Sequence, residues 1–520
     1  MENDMATRHP GRSCTQQTIS ASSRGATAWL GRCLVGVVGV LLIAAMARAQ
    51  PTGSETAPVS LQPTHGADSV ELESRNRRSR TWRTYQATTY DWALDALGAA
   101  ATAPTALSKY GGRLDRQHEA TGFFRVEKIG DRWWIIDPLG HPQIRKAVNS
   151  TYRNGFEALS AERQAELGYD DVAVWAADST AIARDYGFNA WGRWSTNDPL
   201  RATAEPLPYV NSLNMMTRFG RILEITSPNP GNMAFEHSLI PSFHPDFPAH
   251  AREYARLHVA DTKYDPWLVG HFIDNELPVN RRALERALRL DPDDPVQRHT
   301  RAAAWDWLRN KYGPDASADM VTAADNRAFM GAVFDRYYAV AAEAIREVDP
   351  NHMILGSRLH GSGHKMQEII EAAGRHCDIV SINLYGTWEP SATQMAMWER
   401  VGESPFIISE FYVRGEDSNL ANDRGAGWIV PTQRERAIWY ENFTLRLLES
   451  GKCVGWDYFK FRDGIDTNTG LLRQDWRPYD AFVSPLRDAH AKVYTLVDAI
   501  DSLKVSSTGS PNSVVTLNDD

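Results

Sequence analysis

Leu268-Val269-Gly270-His271-Phe272-Ile273-Asp274-Asn275-Glu276 is an apolar run of strand length that stops on an acidic turn. Runs of this kind recur along the chain, separated by longer stretches of helical spacing. Counting outward from this one predicts strands at 144–149, 190–194, near 209–210, at 268–273, 353–357, 379–384, 406–409 and 454–459. Short buried strands alternating with helices are the mark of parallel βα units, and eight of them imply a closed barrel. The expected fold class is therefore α/β, a (β/α)8 TIM barrel over 122–505. Helical spacing is clearest at 282–290, 302–308 and 329–348, the last ended by Asp349-Pro350-Asn351. The stretch 484–503 reads as a closing helix, with Ser484 as N-cap and Pro485 at its first position.

Upstream, Phe123 to Glu127 and Trp133 to Ile136 flank Gly130-Asp131, which predicts a β-hairpin ahead of the first barrel strand. Residues 82–121 read as a short N-terminal extension and 50–81, rich in Pro, Thr, Ser and charge, as a flexible polar segment. Arg24 and Arg32 precede an apolar run at 33–46, followed by Ala47-Arg48-Ala49. That pattern is a signal peptide over 1–49, so the expected location is secreted or periplasmic. The run falls short of the roughly 20 residues that span a bilayer, so no stable membrane span is expected after cleavage. Residues 506–520 are expected to be a disordered tail.

Composition narrows the function. With 42% hydrophobic residues the chain can bury a large core, and a net charge of -9 gives no basic surface for phosphate, so nucleic acid is not an expected partner. Of four cysteines, Cys14 and Cys33 fall in the leader. Cys377 and Cys453 precede strands two places apart, too distant to bridge, and are expected to be free buried thiols. No Cys/His spacing resembles a zinc site, and neither a metal nor a cofactor is expected.

In a parallel barrel, chemistry sits at the C-terminal strand ends. Strand four ends on Asn275-Glu276 and strand seven on Ser409-Glu410. Two carboxyl groups across a sugar can cleave a glycosidic bond, one as proton donor and one as nucleophile when about 5–5.5 Å separates them. Other candidates at strand ends are Asn149, Arg358, His360 and the rings of Trp194, Trp388, Trp456 and Tyr458. The rings are either stacking floors for pyranoses or core. Arg358 and His360 are either substrate ligands or a structural ion pair.

Asp274-Asn275-Glu276 with Ser409-Glu410-Phe411 resembles clan A of the retaining glycosidases. The chain is similar to glycoside hydrolase family 50, the β-agarase family. The carrying segments are Gly122 to Glu127, Trp133 to Gly140, Tyr186-Gly187-Phe188-Asn189, Asp265 to Gly270, Leu355 to Arg358, Phe459 to Asp463 and Arg477-Pro478-Tyr479. The resemblance implies exo cleavage of β-1,4 bonds in agarose or agaro-oligosaccharides, with a galactan as the partner. It implies Glu276 as acid/base, Glu410 as nucleophile, Asn275 as a ligand of the sugar 2-hydroxyl and Tyr385 as the residue that holds the nucleophile. On this division Glu276 is expected to hold its proton to higher pH than an ordinary Glu. Two features depart from the family. The stretch before Tyr110 is too short for the N-terminal sandwich that members often carry. Strand eight has Phe459-Lys460-Phe461, where Lys460 is either solvated or able to meet a sulfate. The alternatives are a clan A enzyme for another, possibly sulfated galactan or β-galactoside, and an inactive secreted barrel that binds glycan.

Overall fold

The computed structural model describes Leu61 and residues 69–76, 79, 81–100, 103–153, 160–229 and 231–507. The expected leader and the tail beyond 507 lie outside the described residues, as does most of the stretch 50–68.

Eight parallel strands are present, in the order expected. They are β1 Arg145–Val148, β2 Ala190–Trp191, β3 Tyr209–Ser212, β4 Leu268–Phe272, β5 Met353–Ile354, β6 Val380–Asn383, β7 Phe406–Phe411 and β8 Cys453–Tyr458. They form two ladders rather than one closed sheet. One runs β6-β7-β8-β1-β2 and the other β5-β4-β3. Where the ladders meet, isolated hydrogen bonds take over: on one side Trp191 N donates to Pro208 O at 2.7 Å, and on the other Asp378 N and Ile379 N donate to Ile354 O at 2.9 and 3.2 Å, with a lone bridge between Leu359 and Ile382 beyond them. The physical reason lies in β2 and β5, which are two residues long. After β5 the chain turns left-handed at Gly356 (φ 75°) and Arg358 (φ 54°). After β2 comes Gly192, where a Cβ would stand 2.4 Å from Asn149 Oδ1.

Inward residues near the strand starts, among them Val210, Val269, Met353, Ile379, Ile407 and Val454, form one apolar cluster. Phe124 and Ile135 of the hairpin Arg125–Ile129/Arg132–Ile136 belong to the same cluster. The hairpin therefore stoppers the N-terminal end, leaving the C-terminal end as the face that can take a ligand. Cys377 and Cys453 are free and buried. Among the described residues no helix is long and apolar enough to cross a membrane.

Two expectations need correction. The segment read as flexible carries a strand, Val70–Ser74, antiparallel to Arg83–Ala87. Leu72 and Ser74 alternate inward with Glu71 and Glu73 outward. Five residues of period two are too few to stand out in a polar stretch. The last helix begins at Asp480, not Ser484, and runs to Ser507 with Pro485 inside it. Val483 N already donates to Tyr479 O at 2.9 Å, so the helix has started before the proline arrives. The long helix Ala323–Val348, by contrast, starts on a capping box between Thr322 and Asp325, and Asp349 is its C-cap.

Candidate active site

The acidic turn after β4 is built backward from its first residue. Asp274 is fully buried and points away from the mouth. It accepts hydrogen bonds from Met216 N at 2.8 Å, Thr217 N at 3.0 Å and the Tyr337 hydroxyl at 2.8 Å. Burial pushes its carboxyl up, against these donors. Asp274 thus pins the turn to the helix Met215–Ile222. Glu276 then takes a left-handed backbone (φ 51°), a costly conformation for a residue with a Cβ. Its N–H donates to Ser357 O at 3.2 Å. This twist sends the side chain into the mouth.

There Glu276 Oε1 accepts from Asn383 Nδ2 at 2.8 Å, with His360 Nδ1 3.9 Å away. Burial first, and then the charge of Glu410, raise its pKa. The proton-holding expectation agrees in direction.

Glu410, near the end of β7, sits in a different field. Arg358 Nη2 donates to its Oε1 in a close contact, Trp194 Nε1 donates to Oε1 at 3.2 Å, and the Tyr385 hydroxyl donates to Oε2 at 2.5 Å. Burial and Glu410 hold the Tyr385 phenol well above its usual range, so it remains a donor. Three donors and no acceptor suit the ionised carboxylate. The Tyr385→Phe protein is expected to lose on the order of 10- to 100-fold in kcat, since a hydrogen bond to a charged group contributes about 1.5–3 kcal/mol. Steady-state kinetics with circular dichroism as a fold control checks this; an unchanged kcat would remove Tyr385 from the machinery.

Arg358 is fully buried. Besides Glu410 it serves Asn275, donating from Nε to Oδ1 at 2.9 Å, and its own N–H donates to Ser381 Oγ at 2.9 Å. Arg358 is therefore ion-paired with Glu410 itself. His360 is part exposed at the mouth, its Nδ1 3.2 Å from Asn383 O.

Asn275 is engaged at both ends, because its Nδ2 also donates to Gly231 O at 3.3 Å. Gly231 belongs to the tip of a hairpin, Thr226–Asn229/Asn232–Phe235, between β3 and β4. A Cβ on Gly231 would stand 3.8 Å from Glu276 Oε2, so the hairpin walls one side of the site.

Three other strand-end candidates do not reach the mouth. Trp456 and Tyr458 alternate outward from β8 into the helix layer. There Trp456 Nε1 donates to the Tyr440 hydroxyl at 2.6 Å, and Arg436 Nη2 donates to the Tyr458 hydroxyl at 2.7 Å. Both rings are fully buried core. Asn149, also fully buried, donates from Nδ2 to Ser409 O at 3.0 Å and to Asp457 O at 3.2 Å. It ties the ends of β1, β7 and β8 together beneath Glu410. Trp388 stacks on Tyr85 of the N-terminal extension, ring centroids 4.8 Å apart.

Sequence reading missed Arg193 and Asn383. Arg193 lies fully buried, donating from Nη1 to Asp274 O at 2.6 Å and from Nη2 to Asn214 Oδ1, with its guanidinium 4.2 Å from the Trp194 ring centroid. Burial and nearby Arg358 push it down to about 9. Asn383 joins the two glutamates' strands, since its Oδ1 accepts from Ser409 Oγ at 2.8 Å. A polar residue ending an apolar run, as in Ser381-Ile382-Asn383, was the available signal.

His271, Asp349 and His352 also form a buried trio whose ligand atoms lie within 4.8 Å of one another. The Asp349 carboxylate already meets His271 Nε2 at 3.0 Å and His352 Nδ1 at 2.7 Å, and His352 Nε2 meets Asp265 O at 2.9 Å. This closed network locks β4 to the turn before β5.

No family model matches the chain. β-Agarase B of Vibrio sp. (strain JT0107) is 22% identical over 495 residues, covering 75% of this chain and 50% of that protein. β-Agarase A of the same strain is 24% identical over 371 residues, covering 62% and 36%. The chain therefore spans about half the length of the first relative and about a third of the second. A crystal structure of BpGH50 is 29% identical with a TM-score of 0.71, over 83% of this chain and 96% of that one. The structure of an exo-β-agarase shares the fold at 20% identity and a TM-score of 0.62, over 78% and 70%. An α/β fold of parallel strands with two facing glutamates at their C-terminal ends defines the class, a glycosidase-type domain. Within that class the chain is similar to glycoside hydrolase family 50, the β-agarase family.

Proposed function

We propose that this protein is a retaining glycoside hydrolase that cleaves β-1,4-galactosidic bonds of agarose or agaro-oligosaccharides from a chain end. Its eight parallel strands act as a (β/α)8 barrel that holds the catalytic groups. The observation that carries the reading is the contrast between Glu276 and Glu410. One is buried beside a negative charge and keeps its proton; the other receives three donors, one of them a guanidinium. Such a pair divides acid and nucleophile roles between identical side chains. Glu410 attacks the anomeric carbon while Glu276 gives its proton to the departing oxygen. Glu276, now ionised, takes a proton from water, and the hydroxide releases the sugar from Glu410 with its configuration retained.

The galactan assignment is supported by relatives that are themselves β-agarases. Attack at a chain end is supported by the hairpin wall at Gly231, which closes one side of the mouth. Secretion is proposed from the leader-like stretch at 1–49.

The test is product analysis on agarose, neoagaro-oligosaccharides and sulfated galactans. A single short product from agarose, appearing from the first time points, is expected. A ladder of products would end the chain-end reading. Cleavage of another galactan with agarose untouched would end the substrate assignment, and no cleavage of any glycan would end the hydrolase reading.

A further inference from the structure

The N-terminal extension is strapped along the helix Gln433–Glu449, which follows the long loop after β7. At the far end of that helix, Leu61 N donates to Glu449 Oε1 at 2.9 Å and Arg446 Nη2 to Leu61 O at 2.6 Å. Nearer its middle, Thr88 N donates to Asn442 Oδ1 at 2.9 Å and Tyr90 N to Glu441 Oε2 at 2.7 Å. Between these anchors the hairpin Val70–Ser74/Arg83–Ala87 reaches the catalytic face. There Arg75 and Ile429 exchange backbone hydrogen bonds of 3.0 and 2.8 Å, and Arg75 Nη2 meets Glu416 Oε2 at 2.6 Å. Glu416 and Ile429 both belong to the loop after β7, where Val413–Gly415 lies parallel to Trp428–Val430. Period two turns Tyr85 and Ala87 inward from the hairpin, with Thr84 and Gln86 outward. The Tyr85 ring enters between two loops. It stacks on Trp388 with centroids 4.8 Å apart and meets Trp428 edge-on at 5.2 Å, while Trp388 Nε1 donates to Gln86 O at 3.0 Å. Trp388 ends the short loop that begins with Tyr385, the donor to Glu410 Oε2. On the other side, Tyr412 packs on Tyr385 with centroids 5.1 Å apart, and its hydroxyl accepts from Ala426 N at 2.8 Å, shortly before Trp428.

We propose that Tyr85 is a positioning residue for the reaction at Glu410, fixing the two loops that keep the Tyr385 hydroxyl on that carboxylate; the inference rests on the glycosidase reading and deepens it. The loop from Tyr385 to Trp388 turns left-handed at exposed Gly386 (φ 70°). Glycine adopts that conformation and others about equally, so the backbone alone does not hold Tyr385 in one place. Stacking Trp388 on Tyr85 fixes the far end of the loop, and Trp428 against the same ring fixes the segment that backs Tyr412. Aromatic pairs have preferred geometries, so a flat ring does this better than apolar bulk. A hydrogen bond aimed at a reacting group is sensitive to displacements of about 1 Å arising far from the chemistry. Tyr85 therefore acts through Tyr385, not on the sugar.

The test is a double-mutant cycle in the full-length protein. It is read as kcat and KM on whichever glycan of the agarose and galactan panel the wild type cleaves best, with melting temperature alongside. Tyr85→Ala is expected to lower kcat about tenfold and to leave KM within about twofold. Tyr85→Phe, which keeps the ring, is expected to retain wild-type kcat, as is Thr84→Ala on the outer face of the same strand. In the Tyr385→Phe background, Tyr85→Ala is expected to lower kcat by less than about twofold more, because the hydroxyl it positions is already gone. A purely structural loss would multiply through both backgrounds and follow the melting temperature. Should Tyr85→Ala fold poorly, Tyr85→Leu keeps apolar bulk without the ring and takes its place in the cycle. Unchanged kcat on loss of the ring, or a tenfold loss that persists in the Tyr385→Phe background, overturns the proposal and leaves the glycosidase reading standing on the active wild type. A wild type that cleaves no glycan overturns both.

Discussion

Replacing Glu410 by Ala is expected to lower kcat by roughly 10⁴-fold or more, because the loss removes a reacting group rather than one contact. The structure makes the loss severe in a second way. Arg358, Tyr385 and Trp194 all converge on this carboxylate, and two fully buried guanidiniums, Arg358 and Arg193, lie close enough to repel each other. Without Glu410 their charge is uncompensated, so the Ala variant is expected to melt below Glu410→Gln, which keeps an acceptor oxygen. Added azide should partly restore turnover of an activated aryl glycoside and give a glycosyl azide of inverted configuration, read by NMR. An azide product of retained configuration would assign the nucleophile to another residue.

The Glu276→Gln protein is expected to lose roughly 10²- to 10⁴-fold in kcat on polysaccharide, the usual worth of a placed proton donor. Aryl glycosides with good leaving groups need that proton less and should lose less. The pH profile carries the sharper signature. Burial and the negative charge of Glu410 raise the Glu276 pKa, so the proton stays on to higher pH than on an ordinary Glu. Activity that requires it is present at lower pH and falls as pH rises through the raised value. Stability has the same sign, since the native state binds the proton more tightly than the unfolded chain, so this contribution fades as pH rises from the ordinary Glu range. Glu276→Gln should flatten the alkaline limb of kcat/KM. If the limb is unchanged, another group is the acid.

The glutamates were legible because each ends an apolar strand, and a strand end in a parallel barrel has one place to be. Tyr385 was legible through family resemblance, and the structure supplies its reason in a hydroxyl 2.5 Å from Glu410. Aromatic residues on β8 were misleading. A register shift between Cys453 and Trp456 resets the period of two, so Trp456 and Tyr458 take the outward phase although Val454 of the same strand points inward. The ladder break at β2 and β5 was also hidden, because it depends on left-handed turns after two-residue strands rather than on composition.

The sequence by itself determined the parallel α/β class, the strand count, the stopper hairpin, the two buried thiols and the two glutamates. These follow from local periodicity and from which residue closes each apolar run, and both are properties of short windows. Only the tertiary structure decided that Arg358 clamps Glu410, that Arg193 braces Trp194, that Asn383 spans both glutamates' strands and that the Gly231 hairpin walls the mouth. Apart from the adjacent Arg193 and Trp194, each of those contacts joins residues tens of positions or more apart. They form because packing parallel strands side by side brings distant strand ends to the same few ångströms, where burial and charge then set the chemistry.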